Sequence, residues 1–228
     1  MKKQFSLLLV LLVSFSTLFV SCEEPMGDDD IMLHNGYEYV DLGLSVKWAT
    51  CNVGATQPEE FGGYYAWGEI KEKSDYSWST YKWGNEGFGA MTKYCTKEVY
   101  GTVDNKTILD PADDVAHVKW GGNWRMPTAA ELSELHSNCT WTWTTINGVN
   151  GYRVTSIANG NSIFLPAAGS YINSNFIGSG NFGAYWSSSL VYLTGYNMYS
   201  YYYHFYNGHF KVDYTNRNEG RSVRPVCE

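Results

Sequence analysis

The segment Ser200-Tyr-Tyr-Tyr-His-Phe-Tyr-Asn-Gly-His-Phe-Lys-Val-Asp-Tyr214 determines how the C-terminal part of the chain folds. Its Asn207-Gly208 pair is a strong signal for a two-residue β-hairpin turn, and strand-forming residues flank it on both sides. With the turn at these positions, residue 206 faces 209, 205 faces 210, 203 faces 212 and 201 faces 214. We therefore predict an antiparallel hairpin in this register.

Alternation along the two predicted strands divides their side chains between two faces. One face is mostly aromatic and is predicted to belong to the core; it comprises Tyr201, Tyr203, Phe205, Phe210, Val212 and Tyr214. The other carries polar and charged groups and is predicted to be exposed; it comprises Ser200, Tyr202, His204, Tyr206, His209, Lys211 and Asp213. A one-residue shift of the turn would exchange the two faces.

The composition of this region suggests a recognition surface. Residues 192 to 214 include eight tyrosines among asparagines, serines and histidines. Tyrosine offers a large contact area with few torsions to fix, and the smaller polar residues add adaptable hydrogen bonding. An ordinary solvated strand would show the same alternation. The predicted ligand-binding residues are Tyr196, Tyr199, Tyr202, His204, Tyr206, His209, Lys211, Asp213, Asn216 and Asn218.

The N-terminal segment has the features of an export signal. Lys2 and Lys3 precede an apolar run, residues 5 to 20, that is too short to span a bilayer comfortably. The junction Phe19-Val-Ser-Cys22 resembles the lipobox of bacterial lipoproteins, whose cysteine becomes the acylated first residue. We predict a signal peptide over 1–21, lipidation of Cys22, an acidic tether over 22–35 and a folded domain over 36–228. A secretory signal with a chance cysteine is the alternative.

Charge and composition restrict the partners and the fold class. Removing residues 1–21 takes Lys2 and Lys3 from the 16 basic residues, and the 14 that remain against 23 acidic residues give a formal charge of −9. Because phosphate binding needs a basic patch, we predict no nucleic-acid partner. Aromatic residues make up 17% of the chain and charged residues only 17%, which favours strands and ordered loops.

Short strand-like runs dominate the domain, at residues 37–40, 45–49, 63–67, 151–155 and 162–165, before the hairpin. Asp110-Pro111 supplies an N-cap and a first-turn proline for a helix towards Lys119. Thr128-Ala-Ala-Glu131 is a capping box, and Leu132 and Leu135 give the following helix an apolar face. The pattern predicts an α+β domain with two short helices and long ordered loops.

Several other side chains have predicted structural roles. Trp141 and Trp143 alternate in strand fashion and are predicted to fill the core. Arg221 and Arg224 are predicted to tie loop carbonyls and carboxylates together. The cysteines of the domain allow three disulfide pairings or buried free thiols, and the sequence does not choose between them. They are Cys51, Cys95, Cys139 and Cys227.

Six segments, in order, carry a family resemblance. They are Tyr39-Val-Asp-Leu-Gly-Leu-Ser-Val-Lys-Trp-Ala-Thr-Cys-Asn-Val-Gly-Ala55, Gly62-Gly-Tyr-Tyr-Ala-Trp-Gly-Glu69, Trp124-Arg-Met-Pro-Thr-Ala-Ala-Glu-Leu132, Ile163-Phe-Leu-Pro-Ala-Ala-Gly169, Tyr185-Trp-Ser-Ser-Ser189 and Arg221-Ser-Val-Arg-Pro-Val226. Together they resemble the FISUMP-type major paralogous domain of bacterial surface lipoproteins.

This resemblance implies a C-type lectin-like fold, in which two helices flank small twisted antiparallel sheets. The same fold occurs in formylglycine-generating enzymes and in the variable proteins of diversity-generating retroelements. The variable proteins carry asparagine, tyrosine, serine, histidine and aspartate at diversified positions, and residues 196–218 are similar to such a segment. The resemblance therefore implies that the C-terminal segment displays the ligand-facing residues.

Candidate catalytic and metal-binding groups are few. Asp113, Asp114 and His117 could form a metal-binding helix face, but an acidic first turn is more typical of a solvated helix start. The carboxylates of Glu60, Glu69, Glu131 and Glu219 have no local sequence that marks a catalytic acid. Where calcium-dependent lectins carry Trp-Asn-Asp, this chain has Trp186-Ser-Ser188. We predict no enzyme activity, no metal and no cofactor.

The sequence therefore predicts a lipid-anchored protein of the outer membrane or cell surface. It is expected to bind a glycan or a protein through the C-terminal hairpin. The alternative is a structural or assembly subunit of a surface filament or coat, in which the same tyrosines contact further copies of the chain.

The Val20-Ser21-Cys22 junction generates a first test. The Cys22→Ala variant should lose membrane partitioning and the incorporation of labelled fatty acid, because acyl chains contribute about 0.8 kcal/mol of membrane affinity per buried methylene. Fractionation and metabolic labelling measure both. Unchanged membrane association of Cys22→Ala would contradict the lipobox.

Overall fold

The computed structural model describes residues 32–84, 90–192 and 197–228. Its strands are β1 (Leu33–His34), β2 (Tyr37–Val40), β3 (Lys47–Ala49), β4 (Cys139–Ile146), β5 (Val149–Ser156), β6 (Ser162–Pro166), β7 (Ser170–Ile172), β8 (Asn175–Ile177), β9 (Phe182–Leu190), β10 (Tyr199–Tyr206), β11 (His209–Asn216) and β12 (Val226–Cys227). Its helices are α1 (Val115–Trp120) and α2 (Ala129–Asn138), with 3-10 turns at Trp78–Thr80, Glu98–Tyr100 and Pro111–Asp113. The described residues form an α+β structure of small antiparallel sheets, as predicted.

The predicted hairpin is confirmed in the predicted register. Tyr206 pairs with His209 and Phe205 with Phe210, and the pairing continues to the far ends of β10 and β11. Gly208 has a φ angle of 81°, which favours glycine in this turn. On the other side of β10, Gly183 of β9 faces the Phe205 ring so closely that a Cβ atom there would lie 2.1 Å from it.

Strands β9 and β11 cover the two edges of the central strand β10. An apolar cluster lies against each of its faces, so β10 is buried on both. Tyr202 belongs to one cluster, whereas Tyr203 and Phe205 belong to the other. The prediction of one exposed face is therefore wrong for Ser200, Tyr202 and His204, whose exposed fractions are 0%, 8% and 9%.

The predicted core face is buried only near the turn. There the Trp141 ring stacks on Tyr203 and on Phe210, with centroids 4.8 and 5.1 Å apart, and so joins β4 to the hairpin. At the opposite end Tyr201 is only half-buried and Tyr214 is 47% exposed. The rings of β4 and β5 contact the hairpin at Tyr203, Phe205 and Phe210, nearer the turn. The prediction is wrong for Tyr214 and only partly correct for Tyr201.

The remaining strands bring distant parts of the sequence together. One sheet has the order β1-β2-β3-β12, so Val226 pairs with Trp48. The others are β4-β5-β6 and the short β7-β8 hairpin. The predicted strand at 63–67 is not formed: Tyr65 makes a single bridge to Arg221, and Trp67 N donates to Arg217 O instead of continuing the ladder.

Both helices are present, but the first begins later than predicted. Asp110 and Pro111 start a 3-10 turn, and Asp114 is the N-cap of α1 because its carboxylate accepts from the backbone N–H groups of Ala116 and His117. Helix α2 begins as predicted, with both hydrogen bonds of the Thr128 capping box formed.

Helix α2, with 10 residues, is the longest helix among the described residues. No helix in this part of the chain has the length and hydropathy needed to cross a bilayer.

Buried arginines fix the C-terminal segment, as predicted for Arg221 and Arg224. The guanidinium of Arg224, 1% exposed, donates to Asn52 Oδ1 and to the carbonyls of Ala49, Thr50 and Phe164. Arg217, which sequence reasoning missed, is completely buried and donates to Tyr81 and to the carbonyls of Tyr94, Asn197 and Lys93. Arg217 and Arg224 thus each have several partners, which limits the cost of burying these two charges, whereas Arg221 donates to the Glu219 carboxylate through one nitrogen.

The cysteines of the domain are free thiols rather than disulfides. Cys51 is half-buried, and Cys95, Cys139 and Cys227 are buried. Burial raises the pKa of the Cys139 thiol to about 11, so this group remains a protonated, weakly nucleophilic thiol at neutral pH.

The two-sided burial of β10 predicts the stability of hairpin variants. Tyr203→Ala and Phe205→Ala should each lower the free energy of unfolding by roughly 3–5 kcal/mol, because each removes a buried ring. Tyr206→Ala should cost less than about 0.5 kcal/mol, because Tyr206 is exposed. Urea unfolding measures all three. A similar loss in all three variants would contradict the observed orientation of the strand.

Candidate ligand-binding surface of the hairpin

The outer surface of the hairpin is formed by its turn and by the edge strand β11. Tyr206 is 48% exposed, Lys211 is exposed, and His209 and Asp213 are half-buried. These four predicted ligand-binding residues lie close together, because Tyr206 pairs with His209 and their rings stack at 4.6 Å. We call this group of four residues the outer face.

Three other predicted ligand-binding residues are buried. The Arg221 guanidinium covers Tyr202, 4.1 Å from its ring centre, and Trp186 packs against the same ring. Asn218 is held inside by a hydrogen bond from its amide to the Tyr76 carbonyl. Like His204, these residues are therefore not part of the exposed surface.

The remaining predicted residues lie at the far end of the hairpin or outside the described residues. Tyr199 and Asn216 form the last pair of the ladder and are half-buried. The Tyr199 ring lies 5.5 Å from that of Tyr214, and Asn216 donates to Glu219. Tyr196 and Cys22 lie outside the described residues.

A column of neighbouring rings, some stacked and some tilted, connects the buried residues with the outer face. From Arg221 it passes to Tyr202, then to His204 at 5.1 Å, to His209 at 5.4 Å and to the exposed Tyr206. Phe182 of β9 lies beside His204 at 5.9 Å. The column fixes the ring orientations at the outer face, so a ligand would meet a surface that is already ordered.

His204 is the electrostatically unusual member of this column. Neither of its ring nitrogens has a hydrogen-bond partner, and Asp213 Oδ2 lies 3.6 Å from Nε2. Burial therefore lowers the pKa of His204 from 6.5 to about 4. Asp213 is instead paired with Lys211 at 2.7 Å; although burial would raise its pKa, hydrogen bonds from Lys211 and the Tyr214 N–H lower it.

The acidic residues considered for catalysis or metal binding have other partners. Asp113 accepts from Lys82, Lys93 and Tyr94, and Asp114 accepts from Met126 N besides capping α1. The four glutamates contact separate partners: Glu60 with Thr56, Glu69 with Lys73, Glu131 with Arg125 and Glu219 with Arg221. No group of three or more metal-binding side chains is arranged around a common point in the described ranges.

Comparisons of the chain with known protein families, with curated proteins and with solved structures gave no match. The functional interpretation consequently depends on the geometry of the surface itself.

Sequence reasoning missed two exposed aromatic residues near the hairpin. Tyr214 was predicted to be core, and Tyr192, which precedes β10, is 49% exposed and was not among the predicted ligand-binding residues. Alternation alone gave no signal for either of them, because it assigned Tyr214 to the core face and Tyr192 lies outside the two strands.

The lowered pKa of His204 gives a prediction with a defined sign. Between about pH 6.5 and pH 4 the unfolded chain binds a proton at this imidazole that the folded chain does not. The free energy of unfolding should therefore fall as the pH falls through this window, by about 2 kcal/mol from pH 7.5 to pH 5.

The His204→Phe variant keeps an aromatic ring in the column and removes the titrating group, so it should lack this component. Urea unfolding at both pH values measures the difference. Identical pH dependence in the wild type and in His204→Phe would contradict this assignment.

Proposed function

We propose that this chain is a surface lipoprotein that binds a glycan or a protein ligand through the outer face of its C-terminal hairpin. The observation that carries the proposal is the display of Tyr206, His209 and Lys211 beside a strand that is buried on both sides. Large amphipathic side chains on a rigid scaffold favour binding, because little conformational freedom is lost in the complex.

We further propose that the domain has a C-type lectin-like fold and belongs with the FISUMP-type surface lipoproteins. Support comes from the pairing of β12 near the C-terminus with β3 near the start of the domain, from the two short helices and from the late hairpin. The alternation of half-buried Phe210 and Val212 with His209, Lys211 and Asp213 along β11 also supports a relationship to retroelement variable proteins.

The location is part of the same proposal. Acylation of Cys22 would hold the chain at the outer membrane or cell surface, and the acidic segment 22–35 would act as a tether for the domain. This arrangement would leave the outer face free to meet ligands outside the cell.

A role in assembly is the second candidate, and two observations favour it. Strand β11 is the edge of its sheet, and an edge strand offers unpaired backbone groups to another chain. The β7-β8 hairpin also exposes Ile172, Phe176 and Ile177, each about 40% accessible. In that case, copies of the chain would be the partners.

Light scattering and ligand arrays separate the two candidates. The Cys22→Ala protein should be monomeric in light scattering and should bind defined ligands on arrays of glycans and purified cell-surface proteins. Tyr206→Ala and Lys211→Ala should weaken that binding, with at least one change above about 2 kcal/mol, because hot spots dominate such surfaces. Their melting temperatures should match the wild type.

Phe176→Ala is the matched control, since it removes an exposed aromatic ring from a different hairpin. It should leave ligand binding unchanged. Concentration-dependent self-association that Phe176→Ala abolishes would favour the assembly role over the proposed one.

A further inference from the structure

A groove lies at the far end of the hairpin, away from the outer face. It has a volume of about 370 Å³ and lies between α2, the end of β9 and the start of β10. Its walls include Ala130 and Ser133 of α2, Leu190 at the end of β9, Tyr192 just after it, and Tyr201 and Val212 of the hairpin. This volume is within the range of about 300–1,000 Å³ that is typical of small-molecule sites.

An irregularity in the sheet forms one side of this groove. Trp186 pairs with Tyr202 and Leu190 pairs with Ser200, so the three serines at 187–189 lie opposite Tyr201 alone. Such bulges redirect side chains and are frequent beside functional sites. Tyr201 and Tyr203 are two residues apart and would point to the same face of a regular strand. Here, however, Tyr203 is buried, whereas Tyr201 is half-buried and lines the groove.

The serine hydroxyls hold this bulge in place. Ser187 Oγ donates to the Tyr201 carbonyl at 2.8 Å, and Ser189 Oγ accepts from the Ala129 N–H at 3.0 Å in the first turn of α2. The backbone N–H of Ser188 donates to the Pro127 carbonyl at 2.7 Å. The wall beside Tyr201 is therefore fixed by hydrogen bonds on both sides rather than by loose packing.

The electrostatic character of the groove selects a neutral ligand. None of the described residues that line it is charged. A neighbouring cavity of about 320 Å³, which shares Ile108 with the groove, is instead lined by Asp114, His117, Arg125 and Glu228. In a chain with a formal charge of −7, an uncharged groove of this size suits a ligand without ionised groups.

The surface chemistry of the groove matches a sugar better than an apolar chain. Tyr192 and Tyr201 line the groove with aromatic side chains, and Ala130, Leu190 and Val212 line it with aliphatic ones. Ser133 donates its hydroxyl proton to the Ala129 carbonyl at 2.9 Å, so its lone pairs remain able to accept from a ligand hydroxyl. A pyranose has an apolar C–H face and a rim of hydroxyls, which meets both kinds of surface.

We propose that this groove is a second binding site, separate from the outer face, that takes one or two units of a neutral carbohydrate. Tyr192 and Tyr201 stack against the sugar rings, and hydroxyl groups of the walls bind their rims. This site goes beyond the function proposed above and does not depend on it.

The test uses the Cys22→Ala protein and an array of neutral chito-, cello-, manno-, xylo- and galacto-oligosaccharides. At least one series should bind, and calorimetry then gives its Kd. Tyr201→Ala and Ser133→Arg should each weaken binding by at least about tenfold, the first by removing a stacking ring and the second by filling the groove. Tyr201→Phe should remain within about threefold, because the ring face is kept.

Two matched controls accompany these variants. Asn138→Arg places the same side chain at an exposed position at the other end of α2, and Phe176→Ala removes an exposed aromatic ring from the β7-β8 hairpin. Both should leave the Kd within about twofold of the wild type. Because Ser133 is exposed on the helix surface, Ser133→Arg tests the groove even where Tyr201→Ala lowers the melting temperature.

Three results would overturn the proposal: no neutral oligosaccharide binds at millimolar concentration, Ser133→Arg binds as tightly as Asn138→Arg, or acidic oligosaccharides or apolar peptides bind in the groove instead. Loss of sugar binding in Tyr206→Ala with no effect of Ser133→Arg would place carbohydrate at the outer face. That outcome would support the function proposed above while rejecting the groove.

Discussion

Tyr203 and Phe205 pack into one apolar cluster of the core and Tyr202 into another, so strand β10 joins these two clusters. A strand in this position needs large side chains at both odd-numbered and even-numbered positions, which explains why β10 lacks the simple alternation of a half-exposed strand. Strand β9 fits closely against it because Gly183 leaves room for Phe205, and β11 is left at the edge.

The C-terminal segment covers the face of β10 that carries Tyr202. Arg221 lies over Tyr202, while Arg217 and Arg224 bind carbonyl groups from widely separated parts of the chain. Because a guanidinium has donors in a fixed planar arrangement, one side chain can hold several loops in a defined geometry. These arginines therefore hold loops together in a domain where much of the chain has no regular secondary structure. In larger sheets, regular strands hold the chain together instead.

Local signals in the sequence predicted local structure well. Asn207-Gly208 predicted the hairpin and its register, and the capping box at Thr128 predicted the start of α2, because each depends on residues a few positions apart. The first helix was predicted to start too early: Asp110 begins a 3-10 turn, and it is Asp114 that caps α1 while also accepting from Met126 N. The overall α+β class also followed from composition.

The candidate site was predicted less completely. His209, Lys211 and Tyr206 were placed on the surface correctly, whereas Tyr202 is covered by Arg221 and Trp186, and His204 is buried beside Phe182. No periodicity in β10 contains that information. Tyr214 and Tyr201 show the opposite effect: both were predicted to be core, but Tyr214 is exposed and Tyr201 is half-buried, whereas the rings of β4 and β5 contact Tyr203, Phe205 and Phe210.

The edge position of β11 also has an evolutionary consequence. Its backbone is held by β10 along its whole length, but the side chains of His209, Lys211 and Asp213 contribute little to either apolar cluster. Selection for folding therefore constrains these positions weakly. Related chains could drift in sequence along this strand and acquire new partners, while the doubly buried neighbour preserves the architecture.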